Sequence, residues 1–170
     1  IWNSSGDSSQ FRDFLFYNNS IYNAKAPAIA YAGESKNAGF RFYNNIFVGN
    51  DSIITGKETN STYLGNNWYS LKSGFNIDGF INFQNWANTN HKENLNGANT
   101  GFSINPLFIV PGASVITDPD LLNNFNNYGL PANSILYNNG IDLQQLFMIN
   151  NGAKTFTGKV VTAKLIGAVE

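Results

Sequence analysis

The stretch Phe14-Leu15-Phe16-Tyr17-Asn18-Asn19-Ser20-Ile21-Tyr22 returns as Phe40-Arg41-Phe42-Tyr43-Asn44-Asn45-Ile46-Phe47-Val48. A looser copy follows as Thr62-Tyr63-Leu64-Gly65-Asn66-Asn67-Trp68-Tyr69-Ser70. The Asn pairs lie 26 and then 22 residues apart, and Trp2-Asn3 lines up with Tyr22-Asn23 at a spacing of 20. Each copy reads as a short alternating strand, a polar break of two residues and a second short strand. On this alignment Phe16, Phe42 and Leu64 share one inward position, and Ile21, Phe47 and Tyr69 share the next.

A block that repeats strand-turn-strand at this interval excludes the common alternatives. No segment holds a 3.6-residue period for three turns, so helical hairpins do not fit. A sandwich would use antiparallel hairpins with Asn-Gly or Asp-Gly turns. A coil of three short strands needs about this length, and stacking coils gives each backbone N–H and C=O a partner in the coil below. The expected fold is therefore all-β: a right-handed parallel β-helix, or solenoid, with one long loop insertion. Asn suits the turns twice over, because it tolerates the left-handed conformation and its amide can bond to the amides above and below. Asn18, Asn44 and Asn66 are read as a structural ladder at equivalent turns.

Between the copies, Ala28-Ile29-Ala30-Tyr31-Ala32 matches Ser52-Ile53-Ile54-Thr55, each followed by a glycine, Gly33 or Gly56. After the third copy the rhythm breaks. Residues 71–103 form a Gly/Asn-rich insertion holding Trp86 and the one histidine, with a helical signal near Phe83-Gln84-Asn85-Trp86-Ala87. This insertion is expected to leave the stack and pack against its side, burying Trp86 and partly covering Trp68. Strand signals resume at Pro106-Leu107-Phe108-Ile109-Val110 and reach Lys164-Leu165-Ile166-Gly167. Residues 1–170 are read as one domain, the C-terminal part of a β-helix. Ile1-Trp2-Asn3 already reads as strand, which predicts further coils upstream.

Composition narrows the functional classes. Of 170 residues, 42% are hydrophobic and 15% aromatic, which excludes disorder. Only 12% are charged, about half the usual share, while about one residue in six is Asn. Amides and hydroxyls, not charges, supply the polar surface. A net charge of −1 offers no basic face for phosphates, so nucleic acid is not an expected partner. The chain has no Cys, hence no disulfide, thiol nucleophile or Cys-based zinc site. No apolar run approaches the ~20 residues of a membrane span. Cys-free, amide-rich composition fits an extracellular or periplasmic bacterial setting.

Two passages resemble bacterial right-handed β-helix proteins of the pectate-lyase-like superfamily. Coils reading Phe-Tyr-Asn-Asn-x-Ile, here within residues 14–69, are common there. Asn105-Pro106-Leu107-Phe108-Ile109-Val110-Pro111-Gly112 is similar to its "Asp-Pro-x-Phe" segment, and Ile166-Gly167-Ala168-Val169-Glu170 to its closing "Asp-Ile-Gly-Ala-x-Glu". Leu165 stands where Asp is usual, Asn105 replaces another Asp, and Asn133-Ser134-Ile135-Leu136-Tyr137 is a loose match to "Ser-Pro-Ala-Ile-Asp". The resemblance implies an extracellular protein acting on polysaccharide, a lyase or a glycoside hydrolase. It implies no cofactor on these coils; calcium would sit on clustered carboxylates further upstream.

The residues visible here supply little of that chemistry. A lyase must neutralise a uronate and remove a C–H proton, so cations and a base must converge. A hydrolase needs two carboxylates facing across the scissile bond. The strands 28–32 and 52–55, which the resemblance places on the substrate groove, offer Ala28, Ala30 and Ala32 outward if Ile29 and Tyr31 point in. Catalytic residues are therefore not assigned, and no metal site is read. Glu34 with Lys36, and Lys57 with Glu58, are read as solvated ion pairs. Candidate sugar contacts are Trp68, turned outward if Tyr69 is core, then Trp86, His91 and Lys92, the last two beside Glu93 in the insertion. The expectation is a structural or substrate-binding region with polysaccharide as partner. The alternative is a non-catalytic β-solenoid, either a surface adhesin or a carbohydrate-binding module. In both, the first coil is expected to be covered by upstream coils of its own protein or by a second copy.

Overall fold

The computed structural model describes residues 2–3, 13–35, 39–58, 60–112, 117–118, 127–154 and 164–167. Paired corner residues organise it. Asn18 and Asn44 take the left-handed conformation at φ 51°, and Gly65 takes it at φ 71°, which turns the chain sharply between two strands. The strands β1 (Trp2–Asn3), β2 (Leu15–Tyr17) and β3 (Ser20–Ala24) make the first coil. The second coil is β4 (Ile29–Ser35), β5 (Phe40–Tyr43) and β6 (Ile46–Gly49), and the third is β7 (Ile54–Glu58), β8 (Ser61–Leu64) and β9 (Asn67–Ser70). They stack into three parallel sheets, ordered β1-β4-β7, β2-β5-β8 and β3-β6-β9. The fold is an all-β solenoid of the parallel β-helix type.

Strand alternation sends one face of each sheet into the stack. Phe16 pairs with Phe42 and Phe42 with Tyr63, while Ile21 pairs with Phe47 and Phe47 with Trp68. The rings stack along the axis: Phe42 and Tyr63 centroids lie 5.1 Å apart, and Phe47 and Trp68 lie 4.6 Å apart. Ile29 and Tyr31 point inward as expected, and the Tyr31 hydroxyl meets the Tyr63 hydroxyl at 2.8 Å. Ala28, expected outward, is buried. Gly33 and Gly56 lie inside β4 and β7, where the pairing register slips between Ala30 and Glu34. The side chains of Glu34, Lys57 and Glu58, all of Lys36, and residues 168–170 lie outside the described set.

The third copy is shifted by one residue from the alignment read in the sequence. Gly65, not Asn66, occupies the turn position of Asn18 and Asn44, because β5 and β8 pair Tyr43 with Leu64. Asn66 therefore follows Asn45 and Asn19, and the inward residue of β9 is Trp68 rather than Tyr69. Likewise Tyr63, not Leu64, continues the column of Phe16 and Phe42.

The segment 71–103 does not pack against the side of the stack; it closes its end. Ile53 N–H bonds to Asn76 C=O, and Ile77 bridges Ile54 as a next strand on the first sheet. Glu93 N–H reaches Tyr63 C=O on the second sheet, and Phe102 exchanges backbone bonds with Asn66 and Trp68 on the third. The reason is the last coil's own backbone, whose donors and acceptors need partners that a side-packed insertion would leave unmet. Asp51 pins this cap through Lys72 at 3.1 Å and Asn76 at 2.9 Å, and both bonds hold its exposed carboxyl below the usual range. Helix α1 (Phe83–Asn90) lies within the cap, with the Asn82 Oδ1 accepting from Asn85 N–H as its N-cap. A small antiparallel pair, β10 (Asn94–Leu95) and β11 (Ala98–Asn99), completes it.

The remainder straps the outer faces. Residues 106–110 form no strand, and Leu107 sits at φ 51°, so the strand expected there is absent. Phe108, Leu130, Leu136, Leu165 and Ile166 instead cover Ile46 and Val48 on the outside of β6, together with Tyr22 and Tyr69. Ile141 and Leu143, the latter opening α2 (Leu143–Phe147), cover Tyr43 and Leu64 on the next sheet. These sheets are thus apolar on both faces, with Tyr17, Tyr43 and Val48 packed under the outer strap.

Candidate functional site

Four residues were expected to meet sugar, and the structure separates them. Trp68 is fully buried and Trp86 is 4% exposed, so neither presents an open face. Their rings meet at 5.6 Å, edge on, inside a cluster with Tyr63, Phe75 and Phe83. Trp86 anchors the cap on the last aromatic layer of the stack. His91 is exposed and ends α1 in the left-handed conformation, at φ 53°. Lys92 is half-buried: its Nζ donates to Ser61 C=O at 2.8 Å and lies 5.3 Å over the Tyr63 ring. Its ammonium is thereby held against the stack.

Glu93, the neighbour of His91 and Lys92 in the insertion, is fully buried. It terminates a ladder of side-chain amides that runs up the corner between the second and third sheets. Asn19 Nδ2 donates to Asn45 Oδ1 at 3.3 Å, and Asn45 Nδ2 to Asn66 Oδ1 at 2.9 Å. Asn66 Nδ2 then donates to Glu93 Oε1 at 2.7 Å. Backbone N–H groups run in parallel, from Asn19 to Asn45 Oδ1, from Asn45 to Asn66 Oδ1 and from Asn66 to Glu93 Oε2. The ladder thus consists of Asn19, Asn45 and Asn66; Asn18 belongs to the turn positions, as does Asn44. Asn44 does other work there, exchanging two 2.9 Å bonds with the backbone of Ile141 and so tying the outer strap to the corner.

Burial pushes the Glu93 carboxyl up from 4.5 to about 7, although hydrogen bonds from Asn66, Trp68 and Thr100 pull the other way. The Trp68 indole donates to Oε1 at 2.8 Å, and Gly101 packs so closely that a Cβ there would fall 2.5 Å from the Glu93 Cγ. A carboxyl with a raised proton affinity is a usual mark of acid–base catalysis. Here no substrate can touch it, and its partners are the fold's own amides. Its role is structural.

Among the described residues, a groove of about 520 Å³ opens on the cap, lined by the start of α1 and by the chain before and after it. Phe83, Phe102 and the buried Phe75 line it together with Asn82, Gln84 and Asn99. Asn82 engages its Oδ1 as helix cap and Gln84 engages its Nε2 with Asn88, leaving an NH2 from one and a carbonyl from the other. No charged side chain lines the groove. Its residues escaped the sequence reading because an amide-rich helix start looks the same in a solvated loop. Among the described residues, no group of three or more His, Asp or Glu side chains is placed to hold a metal ion. No known family model matches the chain, and neither curated proteins nor solved structures give a match.

Proposed function

We propose that this chain is the capped end of a β-helix in an extracellular or periplasmic polysaccharide-acting protein, and that it contacts sugar without carrying the reaction. The resemblance of its coils to the pectate-lyase-like superfamily supports the setting. The observation that carries the reading is the cap groove, whose lining brings Phe83 and Phe102 beside Asn82, Gln84 and Asn99 without a charged side chain. Sugars present apolar C–H faces and a girdle of hydroxyls, so aromatic carbon and uncommitted amide groups are the matching surface. A uronate would demand a cation in the lining, and the lining has none; the fitting ligand is a neutral oligosaccharide.

The test is a titration of the chain with neutral and with uronate-containing oligosaccharides, following the side-chain amide signals of Asn82 and Gln84 by NMR. An open groove of this kind should bind neutral chains with a Kd of about 0.1–1 mM, and Gln84→Ala or Asn99→Ala should weaken binding. Unsaturated product and reducing ends are followed in parallel and should stay flat. Turnover, or shifts confined to residues away from the groove, would refute the reading.

A further inference from the structure

The buried carboxyl of Glu93 and the cap groove share a segment of chain. Thr100 N–H donates to the Glu93 C=O at 2.7 Å, and Thr100 Oγ1 lies 3.2 Å from that carbonyl oxygen and 3.4 Å from Oε2. Gly101 follows, lying so close on the Glu93 side chain that a Cβ would fall 2.5 Å from Cγ and 2.7 Å from Cδ. Asn99, Gly101, Phe102 and Ser103 then line the groove. The start of α1 lines it too, and the Trp86 ring of that helix meets Trp68, whose indole donates to Glu93 Oε1. Glu93 itself is fully buried and contributes nothing to the lining. Whatever it does to the groove, it does through these neighbours.

Thr100 is the one contact of this carboxyl that can serve both of its protonation states. Asn66 Nδ2, Asn66 N–H and the Trp68 indole can only donate to it. A neutral acid also has an O–H to place. Thr100 Oγ1 can accept it, because its own hydrogen can turn to the Glu93 C=O. On ionisation that hydroxyl must turn back to donate to Oε2, and the charge has no cation among its contacts. The titratable and charged side chains nearest to it in the described structure are otherwise engaged or exposed. Lys92 Nζ donates to Ser61 C=O and lies over the Tyr63 ring, the Tyr63 hydroxyl meets that of Tyr31, and His91 is exposed. A buried charge without a counter-charge is relieved by admitting water, and Gly101 is the backbone lying directly on it.

We propose that Glu93 is the positioning residue of the cap groove: protonated, it holds the segment 99–103 in place through Thr100 and Gly101, and ionised, it releases that segment from the lining. The inference rests on the sugar-binding reading for the identity of the ligand, not for the movement. Burial places the ionisation at about pH 7. The neutral form, and with it full affinity for a neutral oligosaccharide, is present below that pH and is lost above it. By linkage, a bound ligand raises the proton affinity of Glu93 in return.

The experiment follows the full chain by NMR from pH 5.5 to 9, first without ligand. The Glu93 carboxyl carbon and the amides of Thr100, Gly101 and Phe102 should move together with one midpoint at about pH 7. Amide exchange at Phe102, corrected for its intrinsic pH dependence, should speed up above that midpoint while β5 stays slow. Glu93→Gln should leave the three amides flat. His91→Asn, which keeps the left-handed helix end, should leave the step in place. The same samples are then titrated with neutral hexasaccharides of glucose, mannose and xylose. Binding should weaken about tenfold from pH 6 to 8.5 in the wild-type chain and stay level in Glu93→Gln. Amides that do not follow the carboxyl carbon, a step abolished by His91→Asn, exchange quickened equally in β5, or equal affinity at both pH values each overturn the proposal. Should Glu93→Gln fail to fold, the shared midpoint in the wild-type chain decides. A coupled step with no sugar bound at pH 6 supports the positioning role and defeats the sugar-binding reading instead.

Discussion

Glu93 Oε1 lies 2.7 Å from Asn66 Nδ2, and this contact converts a repeating amide ladder into a finite one. Its buried carboxyl is raised from 4.5 to about 7, so the folded protein holds a proton there that the unfolded chain releases. The sign follows: the stabilisation is full below about pH 4.5 and is lost as the pH climbs through about 7. The wild-type chain should therefore lose on the order of 3 kcal/mol relative to Glu93→Gln across that window. Urea midpoints of both proteins from pH 4 to 9 check this. Gln has one acceptor oxygen where Glu93 uses two, so the variant starts lower, and parallel curves would exclude the assignment.

Asn45 and Asn44 are neighbours with separable duties. Asn45→Ala removes a fully buried rung: the Asn19 N–H loses its acceptor, the Phe16 carbonyl loses the Asn45 Nδ2, and Asn66 Oδ1 keeps only the backbone N–H of residue 45. It should cost about 2–4 kcal/mol. Asn44→Gly keeps the left-handed turn and loses only the bonds to Ile141. Its stability should change by ~1 kcal/mol, while hydrogen exchange speeds up at residues 141–149 and not in β5.

Trp68 and Trp86 report the cap. In a Trp2→Phe background, where they are the remaining indoles, emission should be blue-shifted and resist acrylamide, since both are buried. Trp68→Ala should cost about 3–5 kcal/mol, because it opens a cavity beneath α1 and removes the donor to Glu93. Emission near that of free tryptophan would overturn the capped geometry.

Gly56 is required by a close approach between coils. Its φ is +84°, and a Cβ built on it would lie 1.9 Å from the Tyr31 carbonyl oxygen in the coil below. Gly56→Ala should prevent soluble folding or cost more than about 3 kcal/mol. By contrast Gly74→Ala, at a similar φ of +77° but with open space around it, should cost ~1–2 kcal/mol. Expression and thermal midpoints of the pair separate backbone strain from steric collision.

Some of this was legible before any coordinates. The recurrence of Phe-Tyr-Asn-Asn at residues 16–19 and 42–45 has one economical reading, since only stacked coils bring such blocks together and let Asn bond to Asn. The inward set Phe16, Phe42, Ile21 and Phe47 followed from alternation, and a short helical signal marked the segment Phe83–Ala87 around Trp86. The third copy was misread by one residue for a definite reason. A left-handed corner accepts Asn or Gly alike, so Leu64-Gly65-Asn66-Asn67 aligns by its Asn pair in one phase and by its Gly in another. A slip of one exchanges inside and outside, which is how Trp68 and Tyr69 changed places.

The sequence by itself determined the unit, a coil of strands with polar corners, because that information is local and repeated. Tertiary structure decided everything that happens once. That residues 71–103 close the end of the stack depends on the unmet backbone groups of β7, β8 and β9, which no pattern inside the segment announces. That Glu93 is a buried terminal rung, while His91 two residues earlier is exposed, depends on Asn66 and Trp68 arriving from another coil. Periodicity encodes contacts between like elements; a cap is a contact between unlike ones, and its partners become neighbours only when the chain has folded.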